Sequence, residues 1–402
     1  MSDRSERGVR LRRALADADL DLLIVALPSN VALTTGYFPV VGTAIALFSS
    51  AGRLILLAPA DELALAQQSR ADAVRGYHPG SLDRLTRATE AVEPLLAKAL
   101  ADLRGSSGRI GLEAGPALQP SSYASVHLFL DSLPVLIRRL APEATLVPAD
   151  ALLAAQRAVL TPAEIDRVRT AVHLVADAFE AGRAVLRPGL AETDLAAAFR
   201  AGLGAGGAPG RGVERGDGFV YCMSGPNAAE AGSAYARSHA RRIQPGDLVL
   251  VHCNSFVDGL WTDVTRTYVL GRPTDQQQAL YQAVFRARDA ALRSIRPGVR
   301  GREVDAAARG VLDEAGWGSR FTHSTGHGVG FAAIDHAAVP RLHPRSDDLL
   351  EPGMVCNVEP AVYLSGETGL RHCDLILVTE YGAEVLTPFQ QTLEELRMAA
   401  PG

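Results

Sequence analysis

Short apolar runs alternate with longer amphipathic stretches through the first part of the chain. The pattern predicts a helix over 7–18, a buried strand over 21–26 and strands over 43–48 and 53–58. Helices over 61–69 and 82–103 follow, then a strand over 109–113. Strands and helices in such alternation imply an α/β layer domain. Pro142, Pro148 and Pro162 punctuate residues 143–162, which read as a junction. A helix over 163–186 starts there, with Thr161 as N-cap, Pro162 at its first position and Glu164 at its third. It ends at Arg187-Pro188-Gly189, and a second helix follows over 192–203. The glycine-rich run 202–218 reads as a flexible loop, because a phosphate cradle needs a strand before it and a helix after it. Beyond 218 strands dominate, with helices over 275–294 and 302–315, the latter ended by Gly316.

Two hairpins carry polar residues inside apolar strands. Residues 248–256 and 261–270 flank the turn dipeptide Asp258-Gly259. A turn centred there sets Asp263 opposite Asn254, with His252 its diagonal neighbour. Side-chain alternation then gathers His252, Asn254, Asp263 and Thr265 on one face. Residues 355–364 and 370–379 flank a loop over 365–369, which places Glu359 and Cys373 on a common face. A carboxylate inside a sheet is costly unless it is paired or holds a cation, so Asp263 and Glu359 read as site residues. For Asp263 alone, a salt bridge with Arg266 is the plainer alternative. His327 lies in Gly326-His327-Gly328-Val329-Gly330, where glycines allow close backbone approach. A buried thiol is the simplest reading of Cys373, and a hydrogen bond to Asp263 the simplest reading of His252.

Composition narrows the setting. The 402 residues suffice for two or three domain-sized units. A formal charge of −5 gives no basic field for nucleic acid or anionic lipid. The apolar stretches are too short to span a bilayer, and the polar N-terminal run has no signal-peptide pattern. A cytoplasmic protein without membrane or nucleic-acid partners is expected. Cys222, Cys253, Cys356 and Cys373 show no CxxC spacing and read as buried free thiols.

The stretches GDLVLVHCNSFVDGLWTDVTRT, HSTGHGVGF, LEPGMVCNVEP and GLRHCDLILVT resemble the pita-bread hydrolases: methionine aminopeptidase, aminopeptidase P, prolidase and creatinase. DLLIVALPSNVALTTGYF resembles, less specifically, the N-terminal domain of creatinase and prolidase. The resemblance implies an N-terminal creatinase/prolidase-like α/β domain over 1–155 and a C-terminal pita-bread domain over 156–402, of mixed α/β (α+β) class. It implies a homodimer. It also implies a metal shell at His252, Asp263, His327, Glu359 and Cys373, where the family's metallopeptidases have Asp, Asp, His, Glu and Glu. Two carboxylates of four are therefore replaced. The family's further histidines correspond to Tyr235, with His239 four residues on, and to His336. Two extra residues separate His336 from His327, and Ala337 stands where an acidic residue follows in the family. Arg371 matches the family's arginine on the last strand.

Charge limits the cofactor. Four carboxylates balance two dications, whereas Asp263 and Glu359 supply −2 and a Cys373 thiolate would raise this only to −3. At most one divalent metal is expected, zinc by donor chemistry, or none, as in creatinase. The leading reading is a hydrolase of a small C–N bonded substrate, Xaa-Pro dipeptidase-like or creatinase-like. In it Glu359, His336 and His327 move protons, and Tyr235, His239 and Arg371 contact a small molecule or dipeptide. The alternatives are a binding protein that keeps the cleft without catalysis, and a lyase on the same fold. Fold alone does not decide among them.

Overall fold

Burial on both faces governs the first sheet. The computed structural model describes residues 3–39, 43–78, 88–105, 107–113, 132–204, 212–232, 237–332 and 338–399. The chain forms two units, Met1–Arg157 and Ala158–Gly402. In the first, helix α1 (Asp3–Asp17) precedes strand β1 (Leu22–Val25) and helix α2 (Pro28–Thr35). Strands β2 (Ile45–Ser49), β3 (Leu54–Pro59) and β4 (Ala73–Tyr77) follow, with a short helix α3 (Leu63–Ala66) between the last two. Helix α4 (Ala88–Asp102), β5 (Arg109–Leu112), α5 (Ser132–Leu140), β6 (Thr145–Pro148) and α6 (Asp150–Ala158) complete the series. The six strands form one mixed sheet, ordered β4-β3-β2-β1-β5-β6. Its central strands are buried along their whole length, and Leu22, Ile24, Leu47, Leu57, Leu96 and Ile137 share a core.

The layer class holds, and two local expectations do not. Residues 61–69 make only a 3-10 turn and a single helical turn, because their apolar positions bury just Ala66. The stretch that proline spacing marks as a junction contains β6 and α6. Pro148 is the last residue of an outer strand, where a missing N–H costs little.

In the second unit helix α7 (Pro162–Val185) begins at a capping box: Thr161 Oγ1 accepts from the Glu164 N–H, and Glu164 Oε2 accepts from the Thr161 N–H at 2.8 Å. Helix α8 (Glu192–Leu203) follows. Strands β7 (Gly216–Ser224), β8 (Leu248–Val257) and β9 (Leu260–Leu270) form an antiparallel sheet. Helices α9 (Asp275–Ser294) and α10 (Gly301–Glu314) come next. Four short strands then fold as interrupted hairpins: β10 (Val355–Val358), β11 (Ala361–Leu364), β12 (Thr368–Arg371) and β13 (Asp374–Val378). Strand β14 (Ala383–Val385) pairs with β13, and β15 (Arg397–Met398) lies parallel to β9. The expected strands 355–364 and 370–379 are each broken. Pro360 has no N–H to continue the ladder, so β10–β13 and β11–β12 fall into separate sheets.

Candidate active site

The first hairpin has the register that parity and the Asp258-Gly259 turn require. Asn254 pairs with Asp263 and His252 with Thr265, so all four point to one side. Between them Cys253 and Val264 point the other way, into the hydrophobic core. Asp258 takes the positive φ of the turn at 49°, and Gly259 at 87°.

The second hairpin reaches the same cleft in spite of its break. Val358 faces Asp374 on one side of the interruption and Ala361 faces Arg371 on the other, which leaves Glu359 across from Cys373. A bridge fastens the two hairpins: the Cys373 N–H donates to the Thr265 carbonyl at 3.1 Å, and the Thr265 N–H to the Cys373 carbonyl at 3.3 Å. His327 arrives on a third segment lying along β10. The Asn357 N–H donates to His327 O at 3.0 Å and the Glu359 N–H to Thr325 O at 2.8 Å. The glycines beside His327 make this approach possible. A Cβ on Gly326 would lie 2.0 Å from Asn357 O, and one on Gly328 2.2 Å from Val339 O.

All five expected positions therefore converge and are buried. One ligand atom each of Asp263, Glu359 and Cys373 lies within 4.8 Å of the others. His252 Nδ1 is 3.7 Å from Asp263 Oδ1, and His327 Nε2 is 3.7 Å from Asp263 Oδ2. Arg371 Nε stands 3.9 Å from Glu359 Oε2. Arg266 does not pair with Asp263; it sits on the opposite face and binds Asp374 at 2.7 Å. Tyr235 and His336 lie outside the described residues. His239 is exposed, and its backbone N–H donates to Glu192 Oε2 at 2.8 Å.

Sequence reasoning missed several cleft residues. Asn357 accepts the His327 N–H on Oδ1 at 2.7 Å, and its Nδ2 is 3.3 Å from His327 Nε2. Tyr363 Oη accepts from Arg371 at 3.4 Å and lies 3.0 Å from His323 Nε2. Tyr221 on β7 stacks on the His252 ring, with centroids 6.2 Å apart and planes 12° apart. Parity could have flagged Asn357, two residues before Glu359. Tyr221 has no such signal, since β7 reads as loop and undifferentiated strand.

Burial is the largest influence on Glu359, His252 and Cys373. It lifts the Glu359 carboxyl to about 7, against the opposing pull of the Arg371 charge and with the help of Asp263. It lowers His252 to about 4, opposed by Asp263 and reinforced by Arg371, so that ring is neutral at pH 7. It holds the Cys373 thiol well above its usual range. That thiol donates to the Asp263 carbonyl at 3.3 Å.

The model of "Metallopeptidase family M24" matches residues 166–380, and that of "Creatinase/Prolidase N-terminal domain" matches 7–159. The chain belongs to metallopeptidase family M24. Among its M24 relatives, the uncharacterized peptidase YqhT of Bacillus subtilis (strain 168) is 28% identical over 382 residues, 94% of this chain and 96% of that protein. The probable dipeptidase PepE of Mycobacterium tuberculosis (strain ATCC 25618 / H37Rv) is 36% identical over 228 residues. That match covers 56% of this chain and 58% of PepE, less than two thirds of its length. The solved Xaa-Pro dipeptidase from Bacillus anthracis superposes with a TM-score of 0.79 at 26% identity, covering 98% of this chain and all of that one. The M24 chain thus has the pita-bread fold preceded by a creatinase-type α/β domain. No described helix is long and apolar enough to cross a membrane.

The donor set fits the family's divalent metals only in part. Two carboxylates remain, and Arg371 returns one positive charge to the same buried space. Asp263, Glu359 and Cys373 are gathered, and His327 turns Nδ1 to the Gly328 carbonyl at 3.0 Å, leaving Nε2 toward Asp263. Oxygen, imidazole and sulfur donors suit zinc.

Proposed function

We propose that this M24 chain hydrolyses a small C–N bonded substrate, dipeptide-like or creatine-like, in a cleft that holds at most one divalent cation. The observation that carries the reading is the buried gathering of Asp263, Glu359 and Cys373 with Arg371 Nε 3.9 Å from Glu359 Oε2, where burial raises the Glu359 carboxyl to about 7. A carboxyl with that affinity exchanges protons at neutral pH, as a general acid–base must. The M24 relatives named as dipeptidases support peptide-type chemistry.

The roles follow from position. Glu359 takes a proton from attacking water and returns it to the leaving nitrogen. With no metal bound, His327, whose Nε2 lies 3.7 Å from Asp263 Oδ2, or His336 is the second acid–base. In that metal-free form Asp263 anchors a cationic group of the substrate. Arg371 orients Glu359 and meets substrate polar atoms, and Tyr235 and His239 are the further substrate contacts. Asp263, His327, Glu359 and Cys373 would hold a zinc ion, which supplies Lewis acidity when bound. Residues 156–402 carry this chemistry, and 1–155 form the creatinase/prolidase-like domain of a homodimer. Four buried free thiols suit a reducing, cytoplasmic setting.

A screen of dipeptides and guanidino compounds, with and without added zinc, manganese or cobalt, tests the proposal. Hydrolysis above a Glu359→Gln control, with no more than one metal per chain by elemental analysis, is the expected result. Two metals per chain, or undiminished turnover by Glu359→Gln, would overturn it.

A further inference from the structure

His252 stands where the family resemblance puts a carboxylate ligand, so what its two nitrogens do decides how that side of the cleft behaves. Each nitrogen already has a partner. Nδ1 lies 2.9 Å from Thr265 Oγ1, and Nε2 lies 3.0 Å from Asn254 Oδ1. Asp263 Oδ1, at 3.7 Å from Nδ1, is beyond hydrogen-bond reach.

The direction of these bonds follows from the donor on Arg371. A guanidinium can only donate, and Arg371 Nε–H points at Thr265 Oγ1 at 3.1 Å. Thr265 is wholly buried, so its own hydroxyl proton needs an acceptor. Among the bonds of that hydroxyl, only His252 Nδ1 can receive it. Nδ1 then carries no proton, and Nε2–H donates to Asn254 Oδ1. The Asn254 amide nitrogen, turned the other way, meets the Thr262 carbonyl at 3.5 Å. Arg371, Thr265, His252 and Asn254 thus form one directed chain. The reverse tautomer would place two donors on Thr265 Oγ1 and strand its hydroxyl proton in the interior, an arrangement that costs a lost hydrogen bond.

We propose that Thr265 is a positioning residue that locks His252 as the Nε2–H tautomer with both nitrogens occupied, so that His252 is a neutral polar wall of the substrate cleft and not a metal ligand. The inference rests on the proposed function only for the word substrate. The hydrogen-bond chain exists in the resting protein whatever the protein turns over. Tyr221, stacked on the ring, holds its plane and leaves it little freedom to swing a nitrogen toward Asp263.

The experiment is ¹⁵N NMR of the full-length chain with labelled histidine at pH 7.5, His252 being assigned by loss of its signal in His252→Gln. The expected spectrum has an acceptor-type Nδ1 and a protonated Nε2. Thr265→Val should abolish that preference, and Thr265→Ser, which keeps the hydroxyl, should restore it. Zinc added to the wild-type chain should leave Nε2 protonated and Nδ1 of acceptor type. An Nδ1–H tautomer in the wild-type chain would overturn the proposal. So would a Thr265→Val chain that retains the Nε2–H form, or zinc binding that converts a His252 nitrogen to a metal-coordinated one. None of these readings depends on catalysis, so an inactive protein would sink the hydrolase and leave the tautomer lock standing.

Discussion

Two buried arginine–carboxylate pairs lie on opposite faces of the same hairpin junction, and they are built differently. Arg266 closes on Asp374 at 2.7 Å and spends its remaining donors on the carbonyls of Thr265, Cys373, Thr387 and Phe389. Asp374 Oδ1 also takes Thr387 Oγ1 at 2.8 Å and Gln391 Nε2 at 3.0 Å, while Arg288 and His372 face Oδ2. Burial opposes the Asp374 charge, yet Arg266, with His372 and Arg288, holds its carboxyl far below the usual range. Arg371 instead stops 3.9 Å short of Glu359, tethered to Thr265 Oγ1, the Ala231 carbonyl and Tyr363 Oη. Burial then prevails, and the Glu359 carboxyl rises to about 7. A closed pair is scaffold, because its proton affinity is removed from the working range. An open pair keeps a proton to exchange.

The largest effect expected from this contrast is on turnover. Glu359→Gln keeps the size of the side chain and removes its acid–base capacity, so kcat/KM should fall about 10²–10⁴-fold, with the folded state retained. Asp374→Asn should do the opposite. It leaves Arg266 buried beside a neutral amide, and unfolding in denaturant should show a loss of about 3–5 kcal/mol. Stability changes of equal size in the two variants would erase the distinction between the pairs.

A smaller effect tests how the third segment is held. Gly326→Ala would put a methyl group 2.0 Å from the Asn357 carbonyl oxygen, which is backbone and cannot swing aside. Overpacking of this kind costs about 1–3 kcal/mol, readable in a denaturant midpoint. It should also lower activity by moving His327 away from Asp263. A Gly326→Ala chain as stable and as active as the parent would show that the segment yields freely.

The two pairs are not equally legible in the sequence. Asp258-Gly259 and strict alternation define the hairpin of β8 and β9, so the amino-acid pattern alone sets Asn254 opposite Asp263. Glu359 and Cys373 share a face in spite of Pro360, because the register runs on through the break even though the ladder does not. Sequence offers Arg266 as a partner for Asp263 but not the partner Arg266 takes. Asp374 lies 108 residues from Arg266 and is brought close by the Thr265–Cys373 bridge. The open state of Arg371 is equally hidden. It depends on a tether to Thr265 across two hairpins, and distances of that kind have no periodic signature. The helix over 163–186 is legible for the opposite reason, its capping box being entirely local.

The finest test separates the pairs by the pH dependence of stability. The native Glu359 carboxyl titrates near 7, above the ordinary 4.5. Between those values the folded chain binds more protons at this residue than the unfolded one, so Glu359 makes stability fall as pH rises. His252 and His372 act in the opposite sense. Both are lowered from 6.5 to about 4, chiefly by burial, so the unfolded chain binds more protons between those values and stability climbs with pH. Asp374, depressed below all of these, is ionised throughout and contributes no slope in this range. The summed contribution of these three residues climbs between pH 4.5 and 6.5 and flattens near 7. Glu359→Gln removes only the falling contribution. Its stability should rise more steeply over the same window and level off above it, measured as denaturant midpoints at half-unit pH steps. Parallel curves for the two chains would mean that Glu359 is closed on Arg371 in solution, and the contrast between scaffold pair and working pair would be lost.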